Sequence, residues 1–435
     1  MKLPFFGGVH PDGHKDLSAA APLAAMPPPA RVAIPLRQHI GAPCKPLVKA
    51  GDAVRMGQKI GDGEGLCVPV HASVSGVVEA IEDRPHPGGG LCLSVVIKND
   101  FRDTPAPAMK PRPNPEKLSP EELIGIIHQA GLVGMGGAAF PTDVKSQTCV
   151  GHVDTVILNA CECEPYITAD DMLMRTRPGD VLRGLAVFMR ILAPGETVAA
   201  VEDNKPQAVE ALKQQLPKTP GIQLKVLPTR YPQGAEKQLI QAVTGRQAPS
   251  GGLPRDVGCA VFNAASAAAV CRAVYEGVSV YERIVTVTGE GVKQPRNLIV
   301  RVGTSFQEVI DAAGGLTDDV WKVLSGGPMM GIAQSSLSVP VTKATNAVLC
   351  LSNAQNGESG RPVCIRCGKC VEACPMRLEP LYLYRFSNAG NLDALKRLSL
   401  MDCIECGCCA YTCPGKVPLV TGIRKGKRAL KEGAK

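Results

Sequence analysis

Cys364-Ile365-Arg366-Cys367-Gly368-Lys369-Cys370-Val371-Glu372-Ala373-Cys374-Pro375 is echoed by Cys403-Ile404-Glu405-Cys406-Gly407-Cys408-Cys409-Ala410-Tyr411-Thr412-Cys413-Pro414. With 18 cysteines in 435 residues, three more at fixed offsets from a first arise by chance at roughly one cysteine position in ten thousand, so two copies exclude chance. Two-residue gaps let a short loop fold three thiolates onto one face of a cube, and a fourth stands before a proline in each copy. Zinc also favours Cys-x2-Cys, but it takes two pairs rather than three closely spaced thiols and a Cys-Pro. The run is the bacterial two-cluster iron–sulfur spacing, in which the fourth cysteine of each copy ligates the other copy's cluster. Cys364, Cys367, Cys370 and Cys413 are therefore assigned to one [4Fe–4S] centre, and Cys403, Cys406, Cys409 and Cys374 to the other. Cys408 lies off register and reads as a packed thiol. Cys44, Cys67, Cys92, Cys149, Cys259, Cys271 and Cys350 stand apart and read as small buried hydrophobes.

Outward from this ferredoxin-like domain (346–423), a basic tail (424–435) carries six Lys/Arg against one Glu, and reads as a solvated end or a contact for anionic headgroups or an acidic partner. Upstream, Arg283–Thr288, Leu298–Val302, a helix over Ser305–Ala313 and Lys322–Leu324 form a compact ββαβ unit, set off as a small domain (279–345). From 119 to 278 strands and helices alternate. Ser119-Pro120-Glu121-Glu122 is a capping box with Pro at the first helical position, opening a helix whose apolar face is Leu123, Ile126, Ile127 and Ala130 and which stops at Gly131. Strands over Thr155–Asn159, Val198–Glu202 and Gln223–Leu227, with helices over Val181–Leu192, Pro206–Leu216, Ala235–Val243 and Ala264–Val274, make an α/β sheet with crossover helices. Five prolines between Pro105 and Pro115 mark a semi-rigid linker (101–118). Short β-type runs at Arg31–Leu36, Val68–His71, Val74–Ile81 and Cys92–Lys98, separated by glycine turns, suggest a small barrel or sandwich (31–100) behind an N-terminal segment (1–30). The fold class is a multidomain α/β protein with small β and α+β modules.

Composition limits the function. A hydrophobic fraction of 45% and a charged fraction of 20% exclude global disorder, and a net charge of +8 with 4% aromatics gives no nucleic-acid footprint. No stretch reaches membrane-span length, and the first residues lack a signal-type apolar run. A cytoplasmic or cytoplasmic-face location is expected, where clustered cysteines are metal ligands.

Two further motifs carry chemistry. Gly131-Leu132-Val133-Gly134-Met135-Gly136-Gly137-Ala138-Ala139-Phe140-Pro141-Thr142, with Lys145 beyond, can bring backbone N–H groups against a phosphate or flat ring. From spacing alone a plain turn is equally compatible. Asn159-Ala160-Cys161-Glu162-Cys163-Glu164-Pro165-Tyr166 follows a strand, at the end where ligands bind in α/β sheets; alone, it also reads as a solvated turn.

Together these motifs resemble the flavin-binding subunit of respiratory complex I, whose stretches read Gly-Arg-Gly-Gly-Ala-Gly-Phe-Pro-Thr and Asn-Ala-Asp-Glu-Ser-Glu-Pro. Tyr231-Pro232-Gln233-Gly234-Ala235-Glu236 is similar to its Gly-Glu-Glu stretch, and Asn263 to a later flavin-contacting Asn. Cys161 stands where that family has Asp, Ala235 where it has the first Glu, and its single-cluster motif is absent. The likeness implies that Gly134, Gly136, Gly137, Lys145, Asn159, Glu162 and Asn263 hold FMN, with Phe140, Glu164 and Glu236 facing NAD(H); no residue is singled out as catalytic. Phe6-Gly7-Gly8-Val9-His10-Pro11, Ile34-Pro35-Leu36-Arg37-Gln38-His39-Ile40-Gly41-Ala42-Pro43, Val70-His71-Ala72-Ser73-Val74-Ser75-Gly76 and Leu324-Ser325-Gly326-Gly327-Pro328-Met329-Met330-Gly331 extend the resemblance to the RnfC/RsxC family of the Rnf electron-transport complex. That likeness covers nearly the whole chain. It implies a barrel-sandwich hybrid, a Rossmann-like flavin-binding α/β domain, a β-grasp (SLBB) domain in a structural or docking role, and a two-[4Fe–4S] domain. It further implies the peripheral NAD-linked subunit of a membrane ferredoxin:NAD oxidoreductase coupled to Na⁺ or H⁺ movement. Its partners would be the other membrane and peripheral subunits, including a ferredoxin-like iron–sulfur subunit, with no nucleic acid. The β-turn His71–Gly76 has no central Lys, so no covalent biotin or lipoate is expected. A cobalamin reductase of a bacterial microcompartment is the alternative enzyme, set apart by the N-terminal barrel. An electron relay without nucleotide binding is the alternative outside enzymes.

Overall fold

The computed structural model describes residues 5–357 and 362–432. Residues 1–4 of the N-terminal segment and 433–435 of the basic tail lie outside the described residues, as do 358–361.

The first module is two small antiparallel sheets packed face to face. One runs Arg31–Pro35, Leu91–Asn99, Gly76–Pro85, Ala53–Val54; the other Lys45–Pro46, Lys59–Asp62, Val70–His71. Alternating β-branched residues put Val32, Ile34, Ile60, Val70, Val78, Val95 and Ile97 between the sheets. The proline-rich stretch after it is no free spacer. Its remaining N–H and C=O groups find partners on both neighbours: Met56 N donates to Thr104 O and Ala106 N to Met56 O, while Arg112 N donates to Tyr275 O at 3.0 Å. It lies so close to Gly277 (φ +69°) that a Cβ there would meet Ala108 O at 2.5 Å.

The α/β unit opens as its sequence dictates. Ser119 Oγ accepts the Glu122 amide, the Glu122 carboxylate accepts the Ser119 amide, and the helix Pro120–Gln129 ends before Gly131 in the left-handed region. Four parallel strands follow in the order Gln223–Leu227, Glu196–Glu202, Thr155–Ala160, Cys259–Asn263. Thr155–Ala160 is a nearly continuous buried apolar run, as a central parallel strand must be. Helices Pro178–Leu192, Pro206–Gln215, Glu236–Thr244 and Ala264–Glu276 connect and cover them. Gly184 lets the helix Pro178–Leu192 approach the helix Ala264–Glu276, since a Cβ would fall 1.7 Å from Ala267 O.

The β-grasp sheet extends beyond the unit expected from 279 to 345. Its order is Ala24–Ala25, Arg296–Arg301, Glu282–Thr288, Ala347–Ser352, Val320–Ser325, Ile332–Ala333, with the helix Phe306–Asp311 packed on it. Ala347–Ser352 therefore runs in the middle of this sheet, parallel to Glu282–Thr288, rather than opening the cysteine domain, and Cys350 is core. The strand is buried at every position, so it has no period-2 signature to separate it from the apolar run around it. Ala24–Ala25 of the N-terminal segment closes the opposite edge.

From 362 onward the described elements are helices: Lys369–Glu372, Pro380–Ala389, Leu392–Arg397, Cys408–Tyr411 and Leu419–Glu432. The last corrects the expectation of a loose tail from 424. Leu419 and Ile423 are buried, and Gly422 and Gly426 admit Tyr384 and Ser387 of the helix Pro380–Ala389, where Cβ atoms would come within 2.4 and 2.2 Å. Basic side chains on the same helix reach Glu405: Arg424 Nε and Lys427 Nζ donate to its carboxylate, both at 2.8 Å.

Candidate functional site

An open parallel sheet leaves a crevice beyond its carboxyl ends where the strand order reverses. Here the reversal falls between Thr155–Ala160 and Cys259–Asn263, and Asn159 and Asn263 are direct register partners across it. Asn263 caps the helix Ala264–Glu276, its Oδ1 accepting the Ala265 and Ser266 amides at 2.9 and 3.3 Å, while its Nδ2 donates to Asp170 at 2.7 Å. Asn159 Nδ2 donates to Gly234 O at 2.7 Å. One N–H of each amide is used this way, leaving the other. The glycine-rich loop lies directly over this pair. Ser266 Oγ accepts from Met135 N at 2.8 Å, Gly134 N donates to Phe140 O at 2.8 Å, and a Cβ at Gly136 would sit 3.5 Å from Asn263 Nδ2. Gly137 is at φ +113°, which only glycine adopts without strain, and 136–138 are exposed. The result is a bare backbone edge above two amides, a cradle suited to a flat, hydrogen-bonding ring.

Lys145, from the helix Thr142–Cys149 that ends the loop, pairs with Glu236 at 2.5 Å and lies 5.5 Å from the Phe262 ring. Residues expected on two different ligands thus form one pair at the rim. Glu162 (φ +47°) is turned to cap the helix Ala169–Thr176, accepting the Asp170 and Asp171 amides at 2.6 and 3.1 Å, and burial pushes its carboxyl up to about 8. Glu164, expected to face the nicotinamide, is engaged elsewhere: its carboxylate accepts the Met329 and Met330 amides at 2.7 and 3.0 Å. It ties the α/β unit to the β-grasp turn Gly326–Met330. The acidic turn is held from behind by Lys15, whose Nζ donates to Glu162 O, Glu164 O and Ile167 O at 2.9, 3.1 and 2.5 Å. Nothing in the sequence around Lys15 marks it, because its partners are backbone carbonyls roughly 150 residues away, with no spacing to read. Gln233 was also missed. It is fully buried beside Gly234, with neither amide atom hydrogen-bonded among the described residues, the kind of orphan that a bound group satisfies.

The two cysteine runs share one backbone design. Arg366 and Glu405, Gly368 and Gly407, and Arg377 and Lys416 hold the same positions of each copy, and all six are left-handed. Such turns aim amides at sulfur: Arg366 N donates to Cys364 Sγ and Glu405 N to Cys403 Sγ, each at 3.4 Å, and Leu378 N to Cys374 Sγ at 3.3 Å. Cys374, Cys403, Cys406 and Cys409 line one cavity, so the fourth cysteine of the first copy joins the second copy's three. Cys364, Cys370 and Cys413 gather around Val417 and Leu419, with Cys367 exposed. Donor set, amide direction and cavity all fit cubane clusters.

The two regions meet. Tyr231, 2% exposed, donates its hydroxyl to Cys406 O at 2.8 Å. Its backbone pairs with Val9, whose neighbour Gly8 donates to Ala373 O at 2.9 Å. Arg230 reaches Gly7 O and stacks over Phe5. Val9, Tyr231, Ala373, Cys406 and Cys408 form one apolar cluster, with Cys163, Met329 and Ile404 against it. The cavity of Cys374, Cys403, Cys406 and Cys409 therefore adjoins the acidic turn, while Cys364, Cys370 and Cys413 gather with Val417 and Leu419 at the start of the last helix.

Residues 3–102 match the RnfC barrel sandwich hybrid domain, 127–272 the Nuo51 FMN-binding domain, 284–333 the SLBB domain and 363–417 the 4Fe-4S dicluster domain. The chain is 44% identical over 428 residues to the C-type subunit of the Na(+)-translocating ferredoxin:NAD(+) oxidoreductase complex of Acetobacterium woodii, covering 98% of this chain and 97% of that one. It is 44% identical to the proton-translocating counterpart of Clostridium ljungdahlii (88% and 84% covered), and 42% identical to the C-type subunit of the ion-translocating oxidoreductase complex of Rhodobacter capsulatus (98% and 83%). Among solved structures, a chain of the air-oxidized NAD+-reducing [NiFe]-hydrogenase shares the fold at TM-score 0.51 and 18% identity, with 74% of this chain and 62% of that one covered.

Proposed function

This chain belongs to the RnfC family, the C-type subunits of ion-translocating ferredoxin:NAD(+) oxidoreductase complexes, and from that premise we propose that it is the peripheral subunit at which NAD(H) exchanges electrons with the complex. Its domains are those of an FMN-binding unit and a two-[4Fe–4S] unit. Flavin exchanges electrons with nicotinamide in pairs and with iron–sulfur clusters singly, which is the conversion such a subunit needs. The rest is positioning. Asn159, Asn263 and the bare backbone of Gly134, Gly136 and Gly137 hold and orient the flavin, and Lys145 supplies the positive charge at the rim. Phe140 and Glu236 border the side open to the nicotinamide. Glu162 acts from behind by fixing the turn that carries Asn159, and Glu164 by docking that turn on the β-grasp unit. Tyr231 and the Gly7–Val9 strap keep the cluster of Cys374, Cys403, Cys406 and Cys409 next to the flavin. The cluster of Cys364, Cys367, Cys370 and Cys413 is then the outer one, presented to an iron–sulfur partner subunit.

No described helix is long and apolar enough to cross a membrane, and relatives of equal identity are named for sodium and for proton translocation. The second fact supports a subunit whose partners set the coupling ion, and a peripheral place on the cytoplasmic face is part of the proposal. The observation that carries the proposal is the pairing of Asn159 with Asn263 beneath the glycine loop. The test is anaerobic titration of the flavin- and cluster-loaded chain with NADH. Flavin bleaching followed by cluster reduction is expected; a loaded chain whose flavin does not bleach overturns the reading.

A further inference from the structure

The barrel holds a second metal-competent group, remote in sequence from the cysteine runs. Cys44 and Cys67 read as separate buried thiols, yet they converge with His39, all three buried, with one ligand atom of each within 4.8 Å of the others. The two sulfurs are 3.4 Å apart. Two thiolates on one tetrahedral zinc at about 2.3 Å each stand roughly 3.8 Å apart, so a shift of a few tenths of an ångström completes the bite. The histidine is set as a ligating histidine is set. Its Nε2 faces Ala42 O at 2.9 Å, which places the proton there, and Nδ1 is buried with no hydrogen-bond partner. The imidazole is 6% exposed and packed within the barrel. The loops are fastened to each other: Ala42 N donates to Leu66 O at 3.0 Å and Cys44 N to Leu36 O at 2.9 Å. Gly63 leaves room beside the sulfur, since a Cβ there would lie 3.0 Å from Cys67 Sγ.

We propose that His39, Cys44 and Cys67 supply three ligands to one Zn²⁺, a site separate from both iron–sulfur clusters. Coordination displaces the two thiol protons to solvent and leaves oxidation states unchanged. Cys44 Sγ donates to Val68 O at 3.2 Å, and this is one of the protons that coordination displaces. The ammonium of Lys343 is anchored nearby on Pro69 O and Gly131 O, and the two thiolates balance the charge of the metal. The purpose follows from the neighbours. Gln38 Oε1 accepts the Lys343 amide at 2.9 Å, and Ile40 N donates to Ala139 O in the glycine-rich loop at 3.0 Å. A metal on His39 thus locks the stretch that joins barrel, β-grasp unit and flavin loop.

The full-length chain, purified anaerobically with both clusters and flavin loaded, is equilibrated with Zn²⁺ and desalted, and zinc, iron and flavin are quantified. One tightly held zinc per chain is expected, with an X-ray absorption edge showing two sulfur ligands near 2.3 Å and a nitrogen near 2.1 Å. The Cys44→Ala/Cys67→Ala variant should lose it while iron and flavin stay unchanged; His39→Gln should weaken it and serves if the double variant does not fold. No retained zinc, zinc with a four-sulfur environment, zinc that survives both variants, or a Cys44–Cys67 disulfide in anaerobic material each overturns the proposal.

Discussion

His128 and Asp143 stand at the two ends of the glycine-rich loop and close it with a 2.8 Å contact from Nδ1 to Oδ2. The Asp143 hydrogen bond raises the histidine above its ordinary value. A raised folded-state value means the contribution is fully present below about pH 6.5 and is lost as the pH rises through the raised value. Flavin affinity and the melting midpoint should therefore decline as the pH rises above about 6.5, and His128→Gln should flatten that decline; an unchanged slope removes the pair from the loop's stability. The neighbouring cation makes a second test. Loss of a charge-assisted contact costs roughly 1.5–3 kcal/mol, so Lys145→Met should weaken flavin binding about ten- to a hundredfold. Glu236→Gln should mainly raise KM for NADH. If Glu236→Gln instead strips the flavin, the carboxylate works only by holding Lys145.

Among the elements, the helix Leu419–Glu432 connects the protein's end to its chemistry. It seats on the helix Pro380–Ala389 through Gly422 and Gly426 and carries Lys427, which donates to Cys403 O at 2.5 Å. Gly426→Leu forces this helix outward against Ser387 and Leu400. Iron should fall from about eight toward four per chain with flavin retained, and full iron content would show the helix is not needed to shape the cavity. The same helix shows where the sequence was illegible. Its cation-rich face masked a narrow stripe of Leu419, Gly422, Ile423 and Gly426, and glycine gives no hydrophobic signal even where it makes the contact. By contrast, the box at Ser119–Glu122 was readable because capping is local, and the cysteine runs because thiolate spacing reflects a cube. Asn159 and Asn263 had no spacing of their own; they came from a family likeness, since register between strands a hundred residues apart is tertiary. His39, Cys44 and Cys67 failed for the same reason, and Ala347–Ser352 because a strand buried on both faces lacks alternation.

At the scale of the whole molecule, some of the contacts that join the modules flank the proposed path of the electrons. Lys15 and Glu164 fasten the acidic turn, and Gly7 to Val9 pass between Tyr231 and Cys374 like a strap. Gly8 is at φ +83°, and a Cβ there would meet Tyr231 O at 2.7 Å and Arg230 Nε at 2.9 Å. Gly8→Val therefore has both steric and conformational reasons to lift the strap, the left-handed region alone costing about 1–2 kcal/mol for a side chain. Neither cluster ligands nor flavin contacts are touched, so iron and flavin contents should match the parent. What should change is the interval between them. In stopped-flow mixing with NADH, flavin bleaching should keep its rate, while the slower absorbance loss of the clusters lags several-fold behind. Tyr231→Phe, which removes only the hydroxyl to Cys406 O, should give a smaller lag in the same direction. Equal lags in parent and Gly8→Val would mean that the cluster domain is seated by its own contacts, such as Ser250 and Gly251 on Asp402, and that the strap merely covers the junction.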